Sequence, residues 1–250
     1  MLVSEKLSQI ALEKELRRST FLSYERLLRS LSLLDEEVSE VSQAAVTERL
    51  WQLSNPNTRR ATIIALRSVF GWKMKIPRSI PRRYDLPSED ELRFALMFSP
   101  KEARGLLMMY AGLRIGEACA ITHKDRHGDR LTVDKQVLEL HRTGSATTWS
   151  IGPTKTAAAS IVIPELLFPV VDSINEIDKP GRVRESLRRA GTKAGFSLTP
   201  HMLRKWYCSH LISHGLPLEL VRKQMRHSDI SITLGHYQQF SEADIHKLFG

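Results

Sequence analysis

At 250 residues, with 42% hydrophobic and 26% charged side chains, the chain has the composition of one large or two modest globular domains, which excludes wholesale disorder. Lys and Arg number 37 against 28 Asp and Glu, a formal charge of +9. Such an excess suits a polyanionic partner, of which nucleic acid is the commonest. The opening MLVSEKLSQIALEKELRR interleaves charges with apolar residues and lacks the unbroken core of a signal peptide. The most apolar stretch, 161–171, is interrupted by Pro164, Glu165 and Pro169 and falls short of the ~20 residues of a membrane span. Cys119 and Cys208 are the only cysteines, too few for a disulfide framework and without CxxC spacing. The expectation is a cytoplasmic protein with reduced, buried thiols and no membrane partner.

Taken in chain order, the first seventy residues read as helices. Leu12, Leu16, Tyr24, Leu27, Leu28 and Leu31 recur at three- and four-residue spacing, as do Ile63, Leu66 and Phe70, and predict one small helical core. Val46 to Leu53 is a third helical piece, and Asn55-Pro56-Asn57 a turn and helix cap. Arg60 and Arg67 lie seven apart on one helix face. The run KMKIPRSIPRRYDLP from Lys73 to Pro87 reads as an extended, basic connector. Its Lys73, Lys75, Arg78, Arg82 and Arg83 join Arg60 and Arg67 as candidate DNA-binding residues. The division is therefore a helical domain over 1–76, a linker over 77–87 and a second domain over 88–250. Ser88 and Glu91 have capping-box spacing. One helix is predicted over Glu89 to Ala111, and another holds Gly112 to Ile121. Leu131 to Leu140 suggests a strand, His141 to Ala146 a turn, and Trp149 to Ile151 and Ser160 to Ile163 two more strands. Thr199-Pro200 caps a helix over HMLRKWYCSHL, and further helices are expected at Pro217 to Arg226, Asp229 to Gln239 and Glu242 to Phe249. The fold class is mainly α with a small antiparallel β-sheet, an α+β protein.

Four fragments carry chemistry together: AGLRIGEA around Arg114, PTKTAAAS around Lys155, HMLRKWY with His201 and Arg204, and MRHSDISITLGHY with His227 and Tyr237. Two arginines, a lysine, two histidines and a late tyrosine are what phosphodiester transfer without a metal requires. Charge gathers on the non-bridging oxygens in the transition state, and arginine forks meet it with fixed cationic donors. Arg114 and Arg204 are the candidates. A tyrosine hydroxyl, Tyr237, can attack phosphorus once its phenolate is stabilised. Lys155, on an apparent turn, can protonate the departing sugar oxygen. His201 falls one helical turn before Arg204, on its face. His210 and His214 read as surface or core side chains and Trp206 and Tyr207 as packing. His123, His127 and His141 lack the spacing of a metal site.

At these residues the chain resembles the tyrosine recombinase (phage integrase) family, in a compact form without an arm-type DNA-binding domain. GLRxGE of that family is matched by Arg114 and its supporting Glu117, the β-turn lysine by Lys155, HxLR by His201 and Arg204, and the final block by His227 and Tyr237. The amino-terminal half resembles the core-binding domain, with Ser19, Thr20 and Tyr24 at its opening. The resemblance implies a catalytic domain cleaving and rejoining double-stranded DNA at a short core site through a 3′-phosphotyrosyl intermediate, with neither metal, ATP nor other cofactor. It also implies a homotetramer on paired sites, joined by exchange of carboxy-terminal tails, and an accessory DNA-bending or directionality factor as a further partner. Ile245, Leu248 and Phe249 form the apolar stripe of such a tail. Two departures stand out. Arg226 replaces the glycine of LGH at a helix end, altering the backbone or adding a phosphate contact, and Gln238, Gln239 and Phe240 follow Tyr237 where a histidine two residues on is usual. The rival reading is a catalytically silent, sequence-specific DNA binder using a helix-turn-helix over Leu216 to Thr233.

Overall fold

The computed structural model describes residues 1–78, 86–140 and 148–228. The chain divides into two compact units, Met1–Arg83 and Tyr84–Gly250.

The first unit holds α1 (Val3–Glu13), α2 (Arg18–Arg29), α3 (Gln43–Trp51) and α4 (Pro56–Phe70). Val3, Leu7, Leu28, Leu33, Leu66 and Val69 are each almost fully buried in one shared core, and each such side chain contributes on the order of 1.5–3 kcal/mol. Asn55 caps α4, its Oδ1 accepting from the Asn57 and Thr58 amides at 2.9 and 3.3 Å. Gly71, at φ +73°, ends it. Two expectations are corrected here. Leu12 is 82% exposed; α1 turns Val3 and Leu7 inward instead, so the expected stripe begins one face away. The connector is also not free from Lys73 onward. Trp72, Met74 and Ile76 pack against the helical core while Lys73 and Lys75 between them are exposed, the two-residue alternation of an extended segment on an apolar surface. Residues 79–85, Arg82 and Arg83 among them, lie outside the described residues.

The second unit opens with α5 (Glu89–Met97), α6 (Glu102–Tyr110) and α7 (Ile115–Ala120). The Ser88 cap forms as expected, Ser88 Oγ accepting from the Glu91 amide at 3.2 Å and the Glu91 carboxylate from the Ser88 amide at 2.7 Å. The single helix expected over Glu89 to Ala111 is two: Pro100 has no amide to donate and disfavours helical geometry at Ser99, so the chain turns there. Five strands follow, β1 (Arg126–His127), β2 (Arg130–Val133), β3 (Lys135–Leu140), β4 (Thr148–Pro153) and β5 (Ala159–Val162). The expected strand over Leu131 to Leu140 is divided at Asp134. β2 joins an antiparallel sheet of order β1-β2-β5 with Leu131 opposite Ile161, whereas β3 forms a separate hairpin with β4 in which Val137 faces Ile151. The expected turn at His141 to Ala146 lies outside the described residues.

Helices α8 (Phe168–Asp172), α9 (Pro180–Ala194), α10 (Pro200–Ser213) and α11 (Leu218–Met225) complete the described fold. Leu92, Leu96, Leu107, Met108, Ile121 and Leu131 are fully buried in the core they enclose. Trp206 and Tyr207 are packing residues, as read from sequence, Trp206 lying edge-on to Tyr110 and stacked on His210. Arg104, 2% exposed, is a structural cross-link: Nε binds Asp178 at 2.9 Å and Nη1 the Ala118 and Ile121 carbonyls at 2.7 Å each. The helices expected beyond residue 228 lie outside the described residues. No described helix is long and apolar enough to cross a membrane.

Candidate active site

Three local structures bring the site together. The first is the turn into α7. Gly112 sits at φ +60°, where a Cβ would lie 2.6 Å from Tyr207 Cδ1 and 2.9 Å from Met225 Sδ, so only glycine fits both the dihedral and the space. Gly116 is needed for close approach, since a Cβ there would meet the Val137 carbonyl at 2.8 Å. Between them, Arg114 begins α7. Glu117 Oε2 accepts from the Arg114 amide at 2.7 Å and Oε1 from Arg114 Nη1 at 3.0 Å. Glu117 is completely buried. Burial alone pushes its pKa up, but Arg226 and then Arg114 outweigh that and hold the carboxylate below its ordinary 4.5.

The second is the start of α10. Thr199 Oγ1 accepts from the Met202 amide at 3.2 Å and Pro200 fills the first turn. His201 and Arg204 follow one turn apart. Arg204 is 5% exposed; its Nη1 donates to the Gly112 carbonyl and its Nη2 to the Met225 carbonyl at 2.5 Å. Burial, then the Arg114 charge, presses its pKa down to about 9, so it stays cationic at neutral pH. Burial and the Lys205 and Arg204 charges lower that of His201, favouring neutral imidazole.

The third is the end of α11. Arg226 closes the helix at φ +54°, a conformation that glycine normally takes. Its carbonyl accepts from Arg114 Nη2 at 3.4 Å and its own Nη2 reaches Glu117 Oε2 at 2.5 Å. His227, next along, is buried, with its amide on the Arg222 carbonyl at 3.0 Å.

Arg114, His201 and Arg204 line one concavity with Leu113, Ile115, Leu198 and Thr199, and Glu117 and the 225–226 backbone are hydrogen-bonded to its arginines. Arg184 and Arg188 of α9 line the same concavity. They escaped the sequence reading, although their four-residue spacing on a basic helix was a usable signal. Lys155 is exposed between β4 and β5 and makes no hydrogen bond or ion pair among the described residues. The adjoining turn is shaped by Thr154 Oγ1, which donates to the Thr156 carbonyl at 2.5 Å. Tyr237 lies outside the described residues. In the first unit Arg60 Nη1 donates to the Pro77 carbonyl at 2.5 Å, and Arg67, Lys73, Lys75 and Arg78 are exposed. Among the described residues no group of three or more His, Cys, Asp or Glu side chains is arranged to hold a metal ion.

Residues 164–243 match the model of the phage integrase family. The tyrosine recombinase XerA of Thermococcus kodakarensis is 27% identical over 173 residues, 64% of this chain and 58% of that protein. XerD of Staphylococcus aureus is 29% identical over 102 residues, 38% of this chain and 34% of that protein. The match thus spans less than two thirds of these relatives' length. The fold is that of the Tn1549 transposon integrase solved with transposon right-end DNA, with a TM-score of 0.75 at 18% identity over 99% of this chain and 98% of that one. It is also that of a lambda integrase dimer bound to a core site, with a TM-score of 0.67 at 16% identity over 94% and 75%. The chain is thus similar in sequence to the phage integrase family over residues 164–243 and to Xer tyrosine recombinases over part of its length, and it shares the fold of the integrases.

Proposed function

We propose that the chain is a site-specific DNA recombinase that cleaves and rejoins duplex DNA through a 3′-phosphotyrosyl intermediate. The observation that carries this is the single concavity shared by Arg114, His201 and Arg204, with Glu117 behind Arg114. The guanidinium groups of Arg114 and Arg204 suit a phosphodiester whose negative charge grows during attack. In this reading Tyr237 Oη bonds to phosphorus and the sugar 5′-oxygen leaves. Neutral His201 takes the tyrosine proton, Lys155 gives a proton to the leaving oxygen, and His227 hydrogen-bonds the phosphate. The reverse attack by a 5′-hydroxyl of a partner strand releases Tyr237. The phosphotyrosine conserves the bond energy, so the cycle needs neither ATP nor a metal.

The exposed Lys73, Lys75 and Arg78, with Arg60, Arg67, Arg82 and Arg83, would contact phosphates, and Arg184 and Arg188 join them beside the site. Four strands are exchanged and each protomer supplies one tyrosine, so the working assembly is a homotetramer on two duplexes, with tails bearing Ile245, Leu248 and Phe249 docked between neighbours. The site of action is DNA in the cytoplasm.

A suicide duplex nicked beside the scissile phosphate tests the reading by trapping covalent protein. The parent chain should form the adduct, and Tyr237→Phe should bind DNA with the parent's affinity while forming none. A Tyr237→Phe adduct would overturn the assignment, and a parent that binds but never forms one would favour the silent DNA binder. Lys155→Ala should slow cleavage by two or more orders of magnitude, yet cleave a substrate with a 5′-bridging sulfur almost normally, because a thiolate leaves unprotonated. Equal losses on both substrates would remove Lys155 from the acid role.

A further inference from the structure

Glu117 is the carboxylate bonded to Arg114, and two guanidinium groups share it. Its Oε1 takes Arg114 Nη1 at 3.0 Å; its Oε2 takes both the Arg114 amide at 2.7 Å and Arg226 Nη2 at 2.5 Å. Because Oε2 is already doubly occupied, Arg114 holds Glu117 through one nitrogen rather than as a two-pronged fork. Arg114 Nη2 is left with only a 3.4 Å bond to the Arg226 carbonyl. Arg226 therefore meets Arg114 twice, through the shared carboxylate and through its own main chain.

Arg226 is itself an unusual side chain. It is 6% exposed and stands in left-handed backbone at φ +54°. Its Nε and Nη1 are buried with no hydrogen-bond partner among the described residues. Buried unpaired donors and left-handed backbone at a non-glycine residue both cost stability. A residue whose role was only to end α11 would be served better by glycine.

We infer that Arg226 is a positioning residue for Arg114: by occupying Glu117 Oε2 it keeps Arg114 on a single-nitrogen grip, with the second fork nitrogen aimed at a phosphate oxygen of the bound DNA. The inference rests on the recombinase reading above. Arg226 acts through Glu117 and Arg114, and its charge adds to the field that the phosphate meets. Without it, Arg114 closes onto Glu117 with both nitrogens and is drawn back from the phosphate.

The test compares Arg226→Gly, which relieves the backbone, and Arg226→Lys, which keeps the charge, on the suicide duplex at saturating protein, each normalised to bound, folded protein. Arg226→Gly should cleave at least tenfold more slowly while its duplex affinity changes less than threefold, and Arg226→Lys should recover most of that loss. In a Glu117→Gln background, Arg226→Gly should add less than a twofold further loss, since the shared carboxylate is already gone. Parent-like cleavage by Arg226→Gly, or an equal loss in the Glu117→Gln background, overturns the inference. Should Arg226→Gly not fold, Arg226→Lys and Arg226→Gln decide it: a lysine variant no faster than the glutamine variant refutes the role. Absence of adduct from the parent chain would bring down the recombinase reading and this inference with it, whereas parent cleavage beside a parent-like Arg226→Gly removes the inference alone.

Discussion

Glu117 couples the stability of the second unit to its proposed chemistry. Its folded pKa lies below its ordinary 4.5, so the stabilisation it gives is fully present above that pH and disappears as pH falls through the folded value. Glu117→Gln should lower unfolding free energy at pH 7 by about 3 kcal/mol, because it leaves Arg114 and the buried Arg226 without their counter-charge. It should also flatten the fall in stability below pH 4.5. Urea midpoints at pH 7 and pH 3.5 check this, and an undiminished acid-side slope would show that other carboxylates set it. The Arg114–Glu117 pair was expected from the resemblance, whose GLRxGE motif sets the two residues three apart. The Arg226–Glu117 pair was not, because it joins residues 109 positions apart. Sequence could say that a glycine had been replaced there, but which oxygen the new guanidinium reaches is decided by tertiary packing.

Among the elements, Gly112 and Gly71 offer a controlled comparison. Both have positive φ, but a Cβ at Gly112 strikes Tyr207 and Met225 whereas one at Gly71 meets nothing within 4 Å. Gly71→Ala should cost about 1 kcal/mol, the backbone term alone. Gly112→Ala should cost about 3 kcal/mol from strain plus overpacking, and should also slow cleavage, since the Gly112 carbonyl fixes Arg204. Parallel thermal melts and cleavage assays decide between this and a purely local effect, which would leave the two variants alike. The caps at Ser88, Asn55 and Thr199 were readable because a cap is written within four residues. Strand partners were not. β2 and β3 are consecutive in sequence yet belong to different sheets, and nothing in the Leu131 to Leu140 pattern says that pairing switches at Asp134. Likewise three- and four-residue spacing marked helical faces in α1 without saying which one, Leu12 or Val3 and Leu7, would meet the other helices.

For the whole molecule, the basic excess is carried partly by a segment whose backbone is already held. Trp72, Met74 and Ile76 anchor it to the first core, so Lys73 and Lys75 project without first having to order the chain. Neutralising Lys73, Lys75, Arg78, Arg82 and Arg83 together should weaken binding to any duplex and flatten the log–log salt dependence by up to ~0.9 for each phosphate no longer neutralised. Affinity titrations from 50 to 300 mM salt measure that slope, and an unchanged slope would take these residues off the DNA. Composition marks a boundary along the chain, because prolines and cations cluster where apolar periodicity stops. That the first residues of the cluster pack on the helices was hidden, because their apolar positions alternate every second residue between charges.

The two cysteines give the second unit a built-in chemical clock. Cys119 lies two residues beyond Glu117 and Cys208 one helical turn beyond Arg204; both thiols are free and buried, and burial raises their pKa to about 12 and 11. A thiol so placed is neither exposed nor ionised at neutral pH, and alkylating reagents act on the thiolate. Pulse labelling of the otherwise unmodified chain would therefore count openings of α7 and α10, the helices that carry Glu117 and Arg204. The first unit, which contains no cysteine, would contribute no background, and labelling with and without duplex would measure how firmly bound DNA shuts those two helices.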